Sequence, residues 1–151
     1  MLAKRMTCHF VAKIMFICLS FSMIAKADES LRSYQPDLPE GFMAALSQAD
    51  INEGKALFER KCSTCHDIRA TGKHNTGPNL WNVLGRKAGT EQGFEYSESM
   101  ATSGHVWTLA NLNYFLQNTK RAVPDLKMSF RSLKDEEDRI NLLRFIQQAH
   151  D

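Results

Sequence analysis

Cysteine is scarce in this chain: four in 151 residues, with Cys8 and Cys18 inside the first 27. Downstream only Cys62 and Cys65 remain, too few for a disulfide scaffold. Long hydrophobic runs are missing as well. The most apolar stretch, Ile14 to Ile24, has eleven residues, about half of the roughly 20 that a membrane-spanning helix needs. No segment alternates apolar and polar residues convincingly with a period of two, which argues against a sheet. No nucleophile with a partner base and no acid–base pair appears, so the usual hydrolytic chemistries have no candidate residues.

What precedes Asp28 has the order of an export leader. Lys4, Arg5 and Lys13 make a basic start, the eleven-residue apolar run follows, and Ala25-Lys26-Ala27 is a small-x-small cleavage site. Cys18 follows Ile17, which is too bulky for a lipoprotein cleavage site. The expected boundaries are a signal peptide at 1–27, an N-terminal extension at 28–48 and a folded domain at 49–151. The leader carries four basic residues and no acidic one, so cleavage turns the net charge of +2 into −2, fifteen basic against seventeen acidic residues. The basic balance of the whole chain is therefore no sign of nucleic-acid binding.

Residues 28–48 read as a linker with one apolar patch, Phe42 to Leu46, able to pack as a single helical turn. The first strong helix begins after Asp50, an N-cap with Glu53 three residues on as in a capping box, and runs into Cys62. A last helix begins near Asp135 under the acidic run 135–138, with Leu142, Phe145, Ile146 and Ala149 as its apolar stripe. Shorter helices are expected after Ser97 and after Thr108, the latter with Leu109, Leu112, Phe115 and Leu116 inward. Six of the eight glycines fall between 72 and 104, so the middle of the chain is mostly loop. Short helices and long loops make a poor core for about 100 residues, and something large and apolar should fill it.

Cys62-Ser-Thr-Cys65-His66 admits three chemistries. A structural zinc site lacks its second ligand pair, because none of His74, His105 and His150 forms an H-x₃₋₅-H pair. A thioredoxin-like pair belongs at a helix N-terminus after a strand, whereas here a helix precedes the motif and a Gly-rich loop follows. Covalent haem attachment uses every residue of it: two thiols for thioethers to the porphyrin vinyl groups, and the adjacent histidine as an axial ligand. A sixth ligand could be Met43, Met100 or Met128. Met128, on a late loop before the last helix, is best placed to fold over the far face.

From Asp50 to Asp151 the chain resembles the class I cytochromes c of the mitochondrial type. The likeness rests on Gly54 with Phe58, Cys-Ser-Thr-Cys-His at 62–66, Gly-Lys-His-Asn-Thr-Gly-Pro-Asn-Leu at 72–80, Leu-Gly-Arg-Lys-Ala-Gly at 84–89, Gly-Phe-Glu-Tyr-Ser at 93–97, Trp107, and Pro124 to Phe130. It implies an all-α cytochrome c fold, a few helices and long loops wrapped around one haem c. It also implies thioethers at Cys62 and Cys65, and iron held by His66 and Met128. Pro78 resembles the residue whose carbonyl takes the His66 ring proton, and Arg86, Tyr96 and Trp107 resemble the donors to a buried propionate. Gly54 resembles the close crossing of the first and last helices, and His74 a histidine bridging two loops. His105 and His150 are expected at the surface. Departures from the family pattern are Phe115 for a tyrosine, Leu126 for a threonine, Met100 for an asparagine, Asp125 for a glycine and Thr119 for a proline.

The function implied is that of a soluble, monomeric periplasmic electron carrier, not an enzyme. Its expected partners are membrane-bound redox complexes, a cytochrome bc-type donor and a terminal oxidase acceptor, met by transient electrostatic docking. Lys61, Lys120, Arg121, Lys127, Arg131 and Lys134 would ring the exposed haem edge. A haem peroxidase or a gas sensor is the alternative if Met128 leaves the iron readily.

Overall fold

The computed structural model describes residues 28–151; the leader and the cleavage before Asp28 lie outside the described residues. Six helices follow one another: α1 Phe42–Gln48, α2 Ile51–Lys61, α3 Glu98–Ala101, α4 Leu109–Gln117, α5 Thr119–Ala122 and α6 Glu136–Ile146. Among the described residues the only extended pairing is an isolated antiparallel bridge between Lys87 and Val106. The architecture is all-α, as expected.

Two caps set the ends of the scaffold. The Asp50 carboxylate accepts from the backbone N–H groups of Asn52 (2.8 Å) and Glu53 (3.2 Å), and that of Asp135 from Asp138 (3.0 Å). The capping box expected at Asp50 is differently made: its own N–H donates to Asn141 Oδ1 of α6 at 3.0 Å. The start of α2 is thereby tied to the helix it crosses. At the crossing a Cβ on Gly54 would stand 2.1 Å from the Asn141 carbonyl oxygen, so only glycine lets the two backbones meet. Phe58 and Phe145 pack beside it with ring centroids 5.6 Å apart.

α6 buries more than its predicted stripe. Leu142 and Leu143 are both fully enclosed, with Ile140 and Ile146 nearly so, because α1, α2 and α4 all pack on this helix. It also buries Arg139, whose guanidinium donates to Asn113 Oδ1 (2.9 Å) and to the carbonyls of Leu133, Lys134 and Asp135 (3.0, 2.7 and 2.9 Å). Four neutral acceptors thus hold a desolvated cation.

Residues 28–48 do more than a linker with one helical turn. Leu31, Phe42 and Leu46 are all buried, and each contributes about 1.5–3 kcal/mol relative to an exposed side chain. α5 has no counterpart among the sequence expectations. Four residues, Thr-Lys-Arg-Ala, are too few to show a helical period, and Asn118 both ends α4 and caps α5 by accepting from Arg121 N–H at 3.1 Å.

Candidate functional site

α2 delivers the Cys-x-x-Cys-His motif at its C-terminal end. Cys62 closes the helix with its N–H on the Phe58 carbonyl (2.8 Å), and Cys65 and His66 both fold back onto the Cys62 carbonyl at 3.0 and 2.9 Å. Both thiols are half-buried, and burial, reinforced by the neighbouring Cys65, pushes the Cys62 thiol up to about 11. Cys62 is therefore a neutral thiol at pH 7, unlike an activated redox cysteine.

The His66 ring is fixed from two sides. Its Nδ1 lies 2.8 Å from the Pro78 carbonyl oxygen, which can only accept, so Nδ1 carries the proton. Nε2 is left with its lone pair, the form in which imidazole binds a metal. Burial lowers the His66 pKa and favours that neutral ring. On the other side lies Gly77, where a Cβ would come within 2.3 Å of Cε1. Gly77 also donates its N–H to the Cys65 carbonyl at 2.8 Å. Its role was not read from the sequence; a glycine directly before the ring-orienting proline is the signal that could have marked it.

His74 ties the adjoining loops together: Nδ1 accepts from Asn79 N–H at 3.0 Å, so Nε2 donates to the Gln92 carbonyl at 2.8 Å.

Arg86 and Trp107 form a second constellation, joined by backbone pairing, with Tyr96 within electrostatic reach of Arg86. Trp107 N–H donates to the Arg86 carbonyl (2.9 Å), Gly85 N–H to the Trp107 carbonyl (2.9 Å) and Ala88 N–H to that of His105 (2.8 Å). Arg86 is half-buried and paired with the Glu91 carboxylate, and it donates to the carbonyls of Trp81 (3.2 Å) and Asn79 (2.9 Å). Three of its five N–H groups are thus engaged inside the chain, two are left, and Glu91 is a carboxylate the sequence reading did not assign. Tyr96 is half-buried, and burial raises its hydroxyl pKa, so it stays a protonated donor.

Trp107 is buried edge-on against Phe115 (5.1 Å) and His105 (4.3 Å). His105 is a correction to the surface placement. It is 9% exposed, neither ring nitrogen has a hydrogen-bond partner among the described residues, and burial lowers its pKa to about 4. The pairing with Ala88 turns it inward. His150 is exposed.

The three methionines separate by environment. Met43 is 56% exposed on α1, and Met100 is 7% exposed in the core on α3. Met128 alone is half-buried on a loop, packed against the core edge with Leu126 and Phe130. Cys62, Ile68, Leu80, Leu84 and Tyr96 are likewise only half-buried against that core. Apolar residues from four separate segments are left incompletely covered, which suits a large, flat, apolar group such as a porphyrin.

Of the predicted basic ring, Lys61, Lys120, Lys127, Arg131 and Lys134 are exposed. Arg121 is not free. Its guanidinium lies 4.2 Å over the Tyr114 ring, and its Nε is 3.9 Å from the Glu29 carboxylate. No helix among the described residues is long and apolar enough to cross a membrane.

Comparison with known proteins matches the chain to one family. The profile of the family "Cytochrome c" matches residues 51–150. Cytochrome c2 of Rhodomicrobium vannielii is 38% identical over 107 residues, covering 71% of this chain and 85% of the relative. Cytochrome c 2.1 of Caenorhabditis briggsae is 37% identical over 105 residues, 70% of this chain and 93% of the relative. Cytochrome c of Theileria parva is 38% identical over 104 residues, 69% of this chain and 90% of the relative.

Proposed function

The chain belongs to the cytochrome c family, with the covalent haem c and electron transfer that membership brings, and from that premise we propose a soluble periplasmic carrier in which His66 and Met128 would hold the haem iron. The observation that carries the ligand assignment is the 2.8 Å contact between His66 Nδ1 and the Pro78 carbonyl, which leaves Nε2 unprotonated. The bound haem supplies iron that alternates between its ferric and ferrous forms, one electron at a time. Cys62 and Cys65, one helical turn apart, anchor its edge. The Pro78 carbonyl holds the His66 tautomer and raises the basicity of the ring. Arg86 and Tyr96 keep donors at the polar end, where a propionate would otherwise be buried without a partner. Among the described residues Met128 is the one methionine both partly open and carried by a loop, and its thioether would favour ferrous iron.

The leader order in residues 1–27 supports export, and docking follows from charge. Lys61, Lys120, Lys127, Arg131 and Lys134 suit transient contact with acidic faces on membrane-bound complexes, a cytochrome bc-type donor and a terminal oxidase acceptor. The chain works as a monomer.

Met128→Ala tests the assignment. The haem should stay attached, the sulfur-to-iron charge-transfer band of the oxidised protein should vanish, and the potential should fall by on the order of 100 mV. Met43→Ala and Met100→Ala should keep the band. Parent-like potential and spectrum in Met128→Ala would show that another residue is the sixth ligand.

A further inference from the structure

The stretch from Glu29 to Tyr34 touches α4, α5, which leads directly into the Met128 loop, and Thr102 just past α3. Leu31 buries its side chain in the core, and its N–H donates to the Ala122 carbonyl at 2.8 Å. Ala122 ends α5, directly before the loop. The Tyr34 ring packs on Tyr114 at 5.1 Å, and the Tyr114 hydroxyl donates to the Glu29 carbonyl at 2.8 Å. On the other flank, Arg32 donates to Thr102 Oγ1, just past α3, at 2.5 Å.

The loop itself has little to hold it. Among the described residues, no backbone N–H from 125 to 132 donates to another backbone group. Its downstream end is pinned by Leu133 N–H on the Leu116 carbonyl (2.8 Å). Its upstream end hangs from α5, a single turn that is too short to persist alone. Beside it lies an open cleft of about 520 Å³, bordered by Ser30, Arg32, Thr102, Val123, Asp125 and Lys127. α5 is held at its start by the Asn118 cap and by Thr119 N–H on Ser132 Oγ (3.3 Å), and it packs on α4; at its C-terminal end, next to the loop, the tie is Leu31.

We propose that residues 29–34 are a strap that fixes the upstream hinge of the Met128 loop, with Leu31 and Tyr34 as positioning residues for the sixth ligand. The proposal rests on the assignment of Met128 made above. Without the strap the loop opens more often, and the far side of the iron becomes accessible to outside ligands.

The test uses the whole holoprotein and two readouts: the rate of cyanide binding to the ferric form, and the rate of trypsin cleavage after Lys127 and Arg131. Leu31→Ala should speed both by about tenfold, since cleavage follows the open population. Leu46→Ala is the control. Leu46 is equally buried, but its helix packs on α6. It should lower the thermal midpoint while leaving both rates near those of the parent. Should Leu31→Ala give too little holoprotein, Tyr34→Ala, at a partly exposed position, should still speed both rates about threefold. Unchanged rates, or equal acceleration by Leu31→Ala and Leu46→Ala, would overturn the strap. If the parent lacks the sulfur-to-iron band, the Met128 assignment fails instead, and trypsin cleavage alone then decides whether the strap holds the loop.

Discussion

The histidine side and the methionine side of the site are built differently. Around His66 the chain is cross-linked at short range. Cys65, His66, Gly77 and Leu80 all donate backbone bonds inside the 62–80 loop, with Asn79 and His74 adding side-chain ties. The Met128 segment has no such mesh, and Asp125 within it sits at φ +59°, a conformation that favours glycine. One side is rigid by its own bonds and the other is held by its neighbours. On the ligand assignment proposed above, a group held between them would keep its imidazole ligand, and exchange would occur at the Met128 sulfur.

The sharpest way to break that contrast is to disturb the rigid side. Gly77→Ala puts a methyl group into the His66 ring and its Pro78 bond. A cost of about 3 kcal/mol or more is expected, seen as a collapse in holoprotein yield and thermal midpoint. A Gly77→Ala protein with parent-like yield and spectrum would mean that the His66 seat is as pliant as the methionine loop.

A smaller effect separates the half-buried His66 from the buried His105. His66 has the Pro78 carbonyl, whereas His105 has no partner among the described residues, and its pKa is lowered from 6.5 to about 4. Between those values the unfolded chain binds a proton that the folded chain refuses, so stability falls as pH drops from about 6.5 to about 4 and then levels off. His105→Phe should remove this component, amounting to about 3 kcal/mol by pH 4. Denaturation midpoints of parent and variant across that range should converge toward neutral pH and diverge toward acid. Parallel curves would place the acid sensitivity elsewhere.

The smallest effect sharpens the view of the loop. Asp125→Ala replaces a residue tolerant of positive φ with one that is not and should cost about 1 kcal/mol, whereas Asp125→Gly should stay within about 0.5 kcal/mol of the parent. Equal stability of the two variants, measured by denaturant unfolding, would show that this backbone conformation carries no strain.

What could be read from the sequence was whatever chemistry ties to neighbours along the chain. Cys62, Cys65 and His66 act within one helical turn, and Asp50 and Asp135 cap amides two or three residues away. The Pro78 contact and the Gly54 crossing needed the family resemblance, because their partners lie 12 and 87 residues off. The rest depended on partners no local pattern names. Tyr114 reaches Glu29 across 85 positions, and the Asp50 N–H finds the Asn141 side chain instead of the Glu53 carboxylate. His105 looked like a surface residue until its pairing with Ala88 turned it inward. Arg121 looked like part of the docking ring, but an aromatic face and a carboxylate on the N-terminal segment claim it.

Arg139 bears on how the chain assembles. Its guanidinium is satisfied only when α4 presents Asn113, α6 has formed, and the Leu133–Asp135 turn has closed over it. Any arrangement with two of those parts in place and the third astray leaves a cation stranded away from water, a penalty larger than any single contact can offset. Half-built intermediates are thereby disfavoured, and α4 and α6 dock together or not at all. The buried charge acts as a proofreading step in folding.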